Sequence, residues 1–170
     1  MGIVEGSRIR ELRERAMAKE IERKFLVTGD SWQGAGAGVL CRQGYLCRGP
    51  EVAVRVRIMG KTGTIAVKAA STVLTRDEFE YEIPLADAEY LIDSLCLGKT
   101  IEKTRHYVEF EGMTWEVDEF RGENEGLVVA EVELESESQS VALPPWVGLE
   151  VSLDPRYLNS ELCVKPYCDW

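Results

Sequence analysis

Charged side chains of one sign recur at every second position in several short segments of this chain. The clearest pairs are Glu20 and Glu22, Arg55 and Arg57, and Glu131 and Glu133. Alternate residues of an extended strand lie on the same face, so the two members of each pair would point the same way. Carboxylate oxygens select hard divalent cations, and fixed arginines match the oxygens of linked phosphates. If these faces converge, they could hold a metal ion and a polyanion.

The elements that would position these side chains are strands. A period of two runs through most of the chain, and short turns such as Gly60–Gly63 and Glu111–Gly112 interrupt it. Leu85–Leu97 instead has helical spacing of apolar residues, with Gly98 as a stop signal, and a shorter helix is expected at Glu135–Val141, ended by Pro144 and Pro145. We predict a mainly β (α+β) protein, with an N-terminal extension over residues 1–17 and one domain over residues 18–170. The stretch Arg8–Met17 is expected to be a charged helix or tail.

Alternation alone is also typical of an open antiparallel sheet with one wet face. Two observations argue against that interpretation. The charged faces are segregated by sign, although like charges at alternate positions repel and surface strands usually mix signs. About eight strands are predicted, which is the number at which a closed barrel encloses a narrow interior. We therefore expect a closed β-barrel with an ionic interior and an apolar outer face, covered by helices and by the C-terminal segment.

Inside such a barrel, cations and carboxylates would converge. The expected cations are Lys24, Arg55, Arg57, Lys68, Lys103 and Arg105. The expected carboxylates are Glu20, Glu22, Glu78, Glu80, Glu82, Glu116, Asp118, Glu131 and Glu133. Two like charges about 4 Å apart repel by roughly 4 kcal/mol at an effective dielectric constant of about 20, so these clusters require counter-ions. The predicted ligand is a short chain of phosphates together with Mg²⁺ or Mn²⁺.

Composition limits the other function classes. The formal charge of the 170-residue chain is −10, which argues against broad binding to nucleic acid or to an anionic membrane. No apolar run is long enough for a membrane span, and we expect a cytoplasmic protein with reduced cysteines. The chain has neither a dinucleotide-binding fingerprint nor a P-loop. His106 is the only histidine and is expected to have a structural or surface role.

The residues from Lys19 to Leu162 resemble the CYTH, or triphosphate tunnel metalloenzyme, superfamily. The resemblance begins with the Glu-x-Glu-x-Lys signature at Glu20, Glu22 and Lys24. Further matching blocks follow in the family order: Gln43–Leu46, Val54–Arg57, Lys68, Arg76–Ile83, Glu102–Arg105, Trp115–Phe120, Ala130–Glu133 and Asp154–Asn159. The chain most resembles the short, single-domain bacterial members, many of which are inorganic triphosphatases. The resemblance implies an eight-stranded antiparallel β-barrel that forms a tunnel.

The resemblance also implies an activity, namely metal-dependent hydrolysis of the terminal phosphoanhydride of inorganic tripolyphosphate or of a related nucleoside or organic triphosphate. It implies that Lys24, Arg55, Arg57, Lys68, Lys103 and Arg105 bind the triphosphate. It implies that Glu20, Glu22, Glu116, Asp118, Glu131 and Glu133 bind Mg²⁺ or Mn²⁺. Glu78, Glu80 and Glu82 would orient the cations. Tyr45, Lys24 and Glu133 are the candidate catalytic residues, and Tyr45 is either a proton acceptor or an aromatic side chain that packs at a strand start.

Two alternatives remain open at this level. Within the superfamily, a class IV adenylyl cyclase or a thiamine triphosphatase would use the same tunnel with an added pocket at one mouth. Outside catalysis, the barrel could capture polyphosphate without turnover. The expected partner is a small-molecule triphosphate, with neither nucleic acid nor membrane involved. The sequence leaves the oligomeric state, monomer or homodimer, open.

Overall fold

The structure is a computed structural model that describes residues 18–34, 37–49, 51–70 and 75–170. Its strands are β1 (Ala18–Val27), β2 (Val39–Arg48), β3 (Val52–Met59), β4 (Thr62–Ala70), β5 (Thr75–Ile83), β6 (Leu97–Phe110), β7 (Met113–Phe120), β8 (Val128–Glu133) and β9 (Val147–Glu150). The α-helices are α1 (Leu85–Ser94) and α2 (Asn159–Leu162), and short 3₁₀ turns occur at Gly122–Asn124, Pro155–Tyr157 and Tyr167–Asp169. The described helices are too short or too polar to cross a lipid bilayer.

Eight of the strands form a closed antiparallel ring in the order β5-β4-β3-β2-β6-β7-β8-β1. Strand β1 closes it, because Ala18–Ile21 pairs with β5 and Glu22–Leu26 pairs with β8. Strand β9 is a ninth, four-residue strand that pairs with the far half of β1. The predicted mainly β, antiparallel barrel is therefore confirmed, with nine strands in place of eight.

The hairpins follow the turn chemistry of the sequence. Glu111 and Gly112 join β6 to β7, and both have positive φ angles, 49° and 78°. A two-residue hairpin turn with this geometry matches the right-handed twist of the strands that it connects. Gly60, with φ of 59°, begins the tight turn between β3 and β4. Both turns were predicted from the sequence.

The outer face of the ring is apolar. On one side, Phe25, Trp115 and Val132 pack beneath Trp32 and Trp146, which come from the loops that precede β2 and β9. On the other side, α1 lays Ala88 and Ile92 on Val56, Ile58 and Ile65 of β3 and β4. Burying these faces against loops and a helix leaves the polar alternate residues of the same strands for the interior.

One end of the interior is closed by apolar side chains. Ile101, Phe120 and Val129 form this inner end together with Tyr45, and α2 covers them with Leu162 and Cys163. Leu162 and Cys163 have no solvent exposure. The ionic part of the interior therefore opens at the opposite end, and the C-terminal segment forms the base of a cup.

One predicted helix is irregular in the structure, and one predicted helix boundary was wrong. The segment 135–141 is irregular, because Gln139 forms a local turn in which its amide oxygen accepts from the Glu135 N–H and its own N–H donates to the Ser136 carbonyl. Serines at alternate positions here favour such local hydrogen bonds over a helix. Helix α1 ends at Ser94, before the predicted end at Leu97, because Leu97 is already the first residue of β6. The predicted extension over residues 1–17 lies outside the described residues.

Candidate active site

The interior contains a cavity of about 840 Å³ that is lined mainly by charged side chains. Among the described residues that line it, five are cations: Lys24, Arg55, Arg57, Lys68 and Arg105. Seven are carboxylates: Glu20, Glu22, Glu78, Glu80, Glu116, Glu131 and Glu133. These twelve side chains come from seven of the eight ring strands, and the period-two alternation brings them to one space.

Cations dominate the part of the cavity that is formed by β3, β4 and β5, which we call the basic wall. Arg55 Nη2 lies 3.1 Å from Glu78 and 3.0 Å from Glu80, and Arg57 Nη2 lies 3.0 Å from Glu80. In the strand register, Ala66 of β4 stands between Arg55 and Glu80. Ala66 is fully buried, and its small methyl group lets the guanidinium pass over it to reach Glu80.

Lys68 completes the basic wall and joins it to β1. Its Nζ lies 2.7 Å from Glu20 Oε2 and 3.0 Å from Glu78 Oε2. The pKa of Glu80 is lowered, although burial alone would raise it, because Arg57 and Arg55 stabilise its charged form. The carboxylates of β5 therefore hold the three cations of this wall in fixed positions.

Carboxylates dominate the opposite part of the cavity, formed by β7, β8 and β1, which we call the acidic wall. Glu22 of β1 stands directly opposite Glu133 of β8, and Glu131 of β8 stands directly opposite Glu116 of β7. Like charges that face each other across neighbouring strands destabilise a sheet. The acidic wall therefore has an unfavourable charge arrangement that a bound cation would relieve.

The pKa values of the acidic wall reflect this crowding. Burial raises the pKa of Glu22, and the neighbouring charge of Glu131 adds to the effect. Burial likewise raises the pKa of Glu133, with Glu20 and Glu22 contributing. Burial raises the pKa of Glu116 to about 7, with Glu131 and Asp118 adding to the shift and Arg105 opposing it. Perturbed carboxyl groups that share one cavity are typical of functional sites.

Beneath the acidic wall lies a buried ion network. Arg105 makes two hydrogen bonds to Asp118, from Nε at 2.8 Å and from Nη2 at 2.7 Å, and Nη2 also lies 3.0 Å from Glu131. Lys103 pairs with the same Asp118, and Arg105 pairs with Glu116. Lys103 and Asp118 are 2% and 1% exposed. A carboxylate held by two cations positions Arg105 rather than facing the cavity.

Lys24 and Tyr45 stand where the ionic cavity meets the apolar inner end. Lys24 Nζ lies 2.8 Å from Glu131 and donates to the Tyr157 carbonyl at 3.4 Å. Tyr45 lines the cavity and packs within the apolar cluster, and its hydroxyl lies 3.5 Å from Gln43 Nε2. The Tyr45 backbone pairs with Arg55 in the β2–β3 register. Tyr45 therefore lines the cavity and packs among apolar side chains, and its role as a proton acceptor stays a prediction.

The open mouth of the cavity is bordered by apolar and aromatic residues, in contrast to the charged side chains of its two walls. Five apolar or aromatic residues border it, which we call the mouth rim: Met59 and Tyr107 on the inner strand faces, and Phe79, Tyr81 and Met113 on the outer faces. Tyr81 and Tyr107 are exposed, and the Tyr107 hydroxyl donates to Met59 Sδ at 3.4 Å. Tyr107 follows Lys103 and Arg105 on the same face of β6. The same two-residue step extends the Arg55 and Arg57 face to Met59.

Eleven of the residues predicted for the substrate, the metal or catalysis line the cavity, and two do not. Lys103 and Asp118 lie beneath it, in the buried ion network. Of the three acidic residues expected to orient the cations, Glu78 and Glu80 do contact them, whereas Glu82 is exposed and lies beyond the lining. Asn159 also lines the cavity and was not predicted, because it follows a turn in which no periodicity marks its direction.

The donor chemistry of the acidic wall suits a hard divalent cation. Within the described part of the chain, no three acidic, cysteine or histidine side chains already converge at metal-ligand spacing. The reason is that Glu131 and Glu116 are drawn onto Lys24 and Arg105. Glu22 and Glu133 lie opposite each other with raised pKa values, and a surplus of two carboxylates in the lining equals the charge of one divalent ion. The residues present therefore fit such an ion.

A closed ring of antiparallel strands with opposed basic and acidic walls defines a barrel-type site for small polyanions. Residues 18–161 match the CYTH domain family, and the chain belongs to this family. It is 51% identical over 151 residues to an inorganic triphosphatase of Acetivibrio thermocellus, a match that covers 89% of this chain and 97% of the relative. It is 36% identical over 150 residues to an inorganic triphosphatase of Nitrosomonas europaea, covering 86% and 97%.

Solved structures agree with this assignment. A crystal structure of an inorganic triphosphatase superposes with a TM-score of 0.63 at 34% identity, covering 87% of this chain and 96% of the other. A Hippeastrum protein described as a putative adenylyl cyclase with a dominant triphosphatase activity superposes with a TM-score of 0.54 at 16% identity, covering 69% and 80%. At that identity, the second likeness shows the fold alone.

Proposed function

We propose that this chain is a divalent-metal-dependent inorganic triphosphatase that hydrolyses the terminal phosphoanhydride of tripolyphosphate. The observation that carries the proposal is the convergence of five cations and seven carboxylates on one cavity, with each sign concentrated on its own wall. Membership of the CYTH domain family and the two relatives named inorganic triphosphatase support it. The predicted enzyme class and substrate class follow from these observations together.

The basic wall would bind the phosphate chain. Arg55, Arg57 and Lys68 are held by the carboxylates of β5 and β1, so they lose little conformational freedom when the polyanion arrives. Each guanidinium can donate two hydrogen bonds to phosphate oxygens. Arg105, fixed by Asp118, would contact the chain from the opposite side. Such preorganised donors can stabilise the charge that spreads over the phosphoryl oxygens during transfer.

The acidic wall would hold the metal ion. Glu22, Glu133 and Glu116 are the best candidates, because their carboxyl groups face the cavity and have raised pKa values in the metal-free protein. Glu20 and Glu131 stand beside them and would adjust their pairing with Lys68 and Lys24. A bound Mg²⁺ or Mn²⁺ would neutralise phosphate charge and orient the chain. Asp118 would act through Arg105 and Lys103.

Hydrolysis requires one water molecule and leaves no covalent enzyme intermediate. The water oxygen forms a bond to the terminal phosphorus, the bridging P–O bond breaks, and pyrophosphate leaves with that bridging oxygen. Tyr45 would accept the proton that the water loses, with Arg55 beside it stabilising the phenolate. Lys24 would offset the charge of the leaving pyrophosphate, and Glu133 would contribute through the metal ion that orients the phosphate chain.

The mouth rim supports a second candidate substrate. Tyr107 and Met59, on the inner strand faces, offer an apolar surface to any group attached to the outer end of the phosphate chain. A triphosphate with an aromatic substituent, such as a nucleoside triphosphate, would place that substituent there. We rank it second because the rim carries few groups that could read a particular base.

The test measures phosphate release from tripolyphosphate and from ATP with Mg²⁺, with Mn²⁺ and with EDTA. We expect turnover of tripolyphosphate that EDTA abolishes. Arg57→Ala should lower kcat/KM about 100-fold, mainly through KM, because it removes a donor to the phosphates. Glu133→Gln should lower kcat about 100-fold and raise the metal concentration needed for half-maximal rate.

Arg42→Ala is the matched control, because Arg42 pairs with Asp93 on the outside of the barrel. It should keep the wild-type rate within about twofold. Two results would contradict the proposal. Tight metal-dependent binding of tripolyphosphate without any phosphate release would make the protein a binding module. Production of cyclic AMP from ATP would make it a cyclase.

A further inference from the structure

The cavity contains a polar group that the roles above leave unused. Asn159 lines the cavity, and its side-chain oxygen Oδ1 is buried without a hydrogen-bond partner among the described residues. Buried acceptors are almost always satisfied in folded proteins. A donor that arrives with the substrate would satisfy this one once the amide turns its oxygen toward the cavity, because Oδ1 itself has almost no accessible surface in the described position.

Asn159 is held firmly in place. It begins α2, and the next residue, Ser160, accepts a hydrogen bond on its carbonyl from Arg48 Nη1 at 2.7 Å. At the end of α2, the Cys163 carbonyl accepts from the Lys99 N–H at 2.8 Å. Leu162 is buried in the same cluster as Tyr45. The segment is therefore anchored to β2 and β6, and Asn159 has the fixed position that a substrate-orienting group needs.

This position is at the inner end of the cavity. Two residues before Asn159, the Tyr157 carbonyl accepts a hydrogen bond from Lys24 Nζ. Tyr45 lies at the same end, since it packs against the residues that α2 covers. Asn159 therefore lies at the same end of the cavity as the two residues that we assign to the breaking bond and to the proton.

Few groups in a site for a polyanion can donate a hydrogen bond to Asn159 Oδ1. Ionised phosphate oxygens and carboxylates only accept hydrogen bonds, so neither can satisfy a carbonyl oxygen. The three N–H groups of Lys24 already face three acceptors, namely Glu131 Oε1 at 2.8 Å, the Tyr157 carbonyl at 3.4 Å and Glu22 Oε1 at 3.9 Å. The group that enters with the substrate and does donate is water.

We propose that Asn159 Oδ1 accepts a hydrogen bond from the attacking water and thereby aims its lone pair at the terminal phosphorus. This inference rests on the proposed triphosphatase function. The water gives one proton to Tyr45 while its oxygen bonds to phosphorus and pyrophosphate leaves. Its other hydrogen stays bonded to Asn159, which gains and loses no proton. Asn159 acts on the nucleophile and leaves the binding of the phosphate chain to the basic wall.

The test compares the wild type with Asn159→Leu, which keeps the side-chain shape and removes the acceptor. We expect kcat for tripolyphosphate to fall about 10- to 100-fold while KM changes less than threefold. The Kd for imidotriphosphate with Mg²⁺, measured by calorimetry, should also change less than threefold. The Tm should not fall, because the variant loses a buried unpartnered acceptor. Glu161→Gln, an exposed position on the same helix, is the control and should keep the wild-type kcat.

Asn159→Asp provides a second arm, because it keeps an acceptor oxygen and adds a negative charge. We expect its kcat to exceed that of Asn159→Leu, with a raised KM. The inference is overturned if Asn159→Leu keeps the wild-type kcat, if its loss is confined to KM and Kd, or if Asn159→Asp turns over no faster than Asn159→Leu. If Asn159→Leu does not fold, Asn159→Asp is compared with the wild type instead. A kcat of Asn159→Asp more than tenfold below the wild-type kcat then contradicts the inference. Absence of turnover by the wild type would instead refute the proposed function.

Discussion

The pKa values of single residues in this site are set by the charges of their neighbours. Arg105 is buried, yet its pKa is raised well above the usual value, because Asp118, Glu131 and Glu116 outweigh the effect of burial. Lys24, Lys103 and Arg105 hold the pKa of Glu131 well below its usual range, although burial alone would raise it. Each side chain therefore has a charge state that depends on its neighbours.

Glu116 makes this dependence measurable. Its pKa is raised to about 7 from an ordinary value of 4.5. Between these two pH values the folded protein keeps a proton that the unfolded chain has lost. Rising pH through this window therefore destabilises the metal-free protein, and above pH 7 the loss is complete. Glu116→Gln should remove this loss and be more stable than the wild type at pH 8 by on the order of 2 to 3 kcal/mol.

The measurement is urea unfolding of both proteins in EDTA between pH 4 and pH 8. Glu119→Gln is the control, because Glu119 lies on β7 one residue beyond Asp118, on the opposite face of the strand. Parallel stability curves for the wild type and Glu116→Gln would show that Glu116 has no raised pKa.

The alternation of residues along a strand predicted which side chains point into the barrel. It did not predict how far along the barrel each side chain lies, and therefore which of them reach the cavity. The two-residue step identified Arg55 and Arg57 without ambiguity. It could not distinguish Asp118, which lies beneath the cavity, from Glu116, which faces it. Both share one strand face, and only the closing of the barrel places one nearer to the packed inner end.

The secondary-structure elements are fixed to one another by close contacts on the outer face. Helix α1 lies against β4 at Gly63, where an added Cβ would stand 2.8 Å from Ala88 Cβ and 3.2 Å from the Ile83 carbonyl oxygen. Such a distance is too short for two carbon atoms, so α1 would have to move. The glycine here is required by the close approach of the helix.

Gly63→Ala should therefore destabilise the protein by about 1 to 3 kcal/mol. Because Gly63 faces outward, kcat and KM for tripolyphosphate should stay within about twofold of the wild type. Thermal unfolding and steady-state kinetics check the two parts, and Thr62→Ala, an exposed neighbour, is the control. Unchanged stability would mean that α1 does not pack on β4 as described.

Element boundaries were harder to predict than strand faces. The segment 135–141 was expected to form a short helix before Pro144, but the local hydrogen bonds of Gln139 stabilise a turn. Asn159 was missed for a related reason, since the direction of its side chain depends on how Arg48 and Lys99 anchor the C-terminal segment. These contacts join residues more than 60 positions apart, and no local pattern indicates them.

In the described part of the chain, the tunnel barrel is covered at one end and open at the other. Eight strands close on themselves through β1, the C-terminal segment seals one end with apolar side chains, and the mouth rim surrounds the other. A polyanion that enters the mouth would meet cations on one wall and carboxylates on the other. Because carboxylates outnumber cations in the lining, a divalent ion should be needed for the polyanion to bind at all.

The most direct test is a crystal structure of the protein with imidotriphosphate, determined once with Mg²⁺ and once with EDTA. With Mg²⁺, we predict the analogue inside the barrel, in contact with Arg55, Arg57 and Arg105, and the metal ion between its oxygens and the carboxylates of the acidic wall. With EDTA, the cavity should hold no analogue. An analogue bound to the outer surface, or bound inside equally well without the metal, would contradict this account.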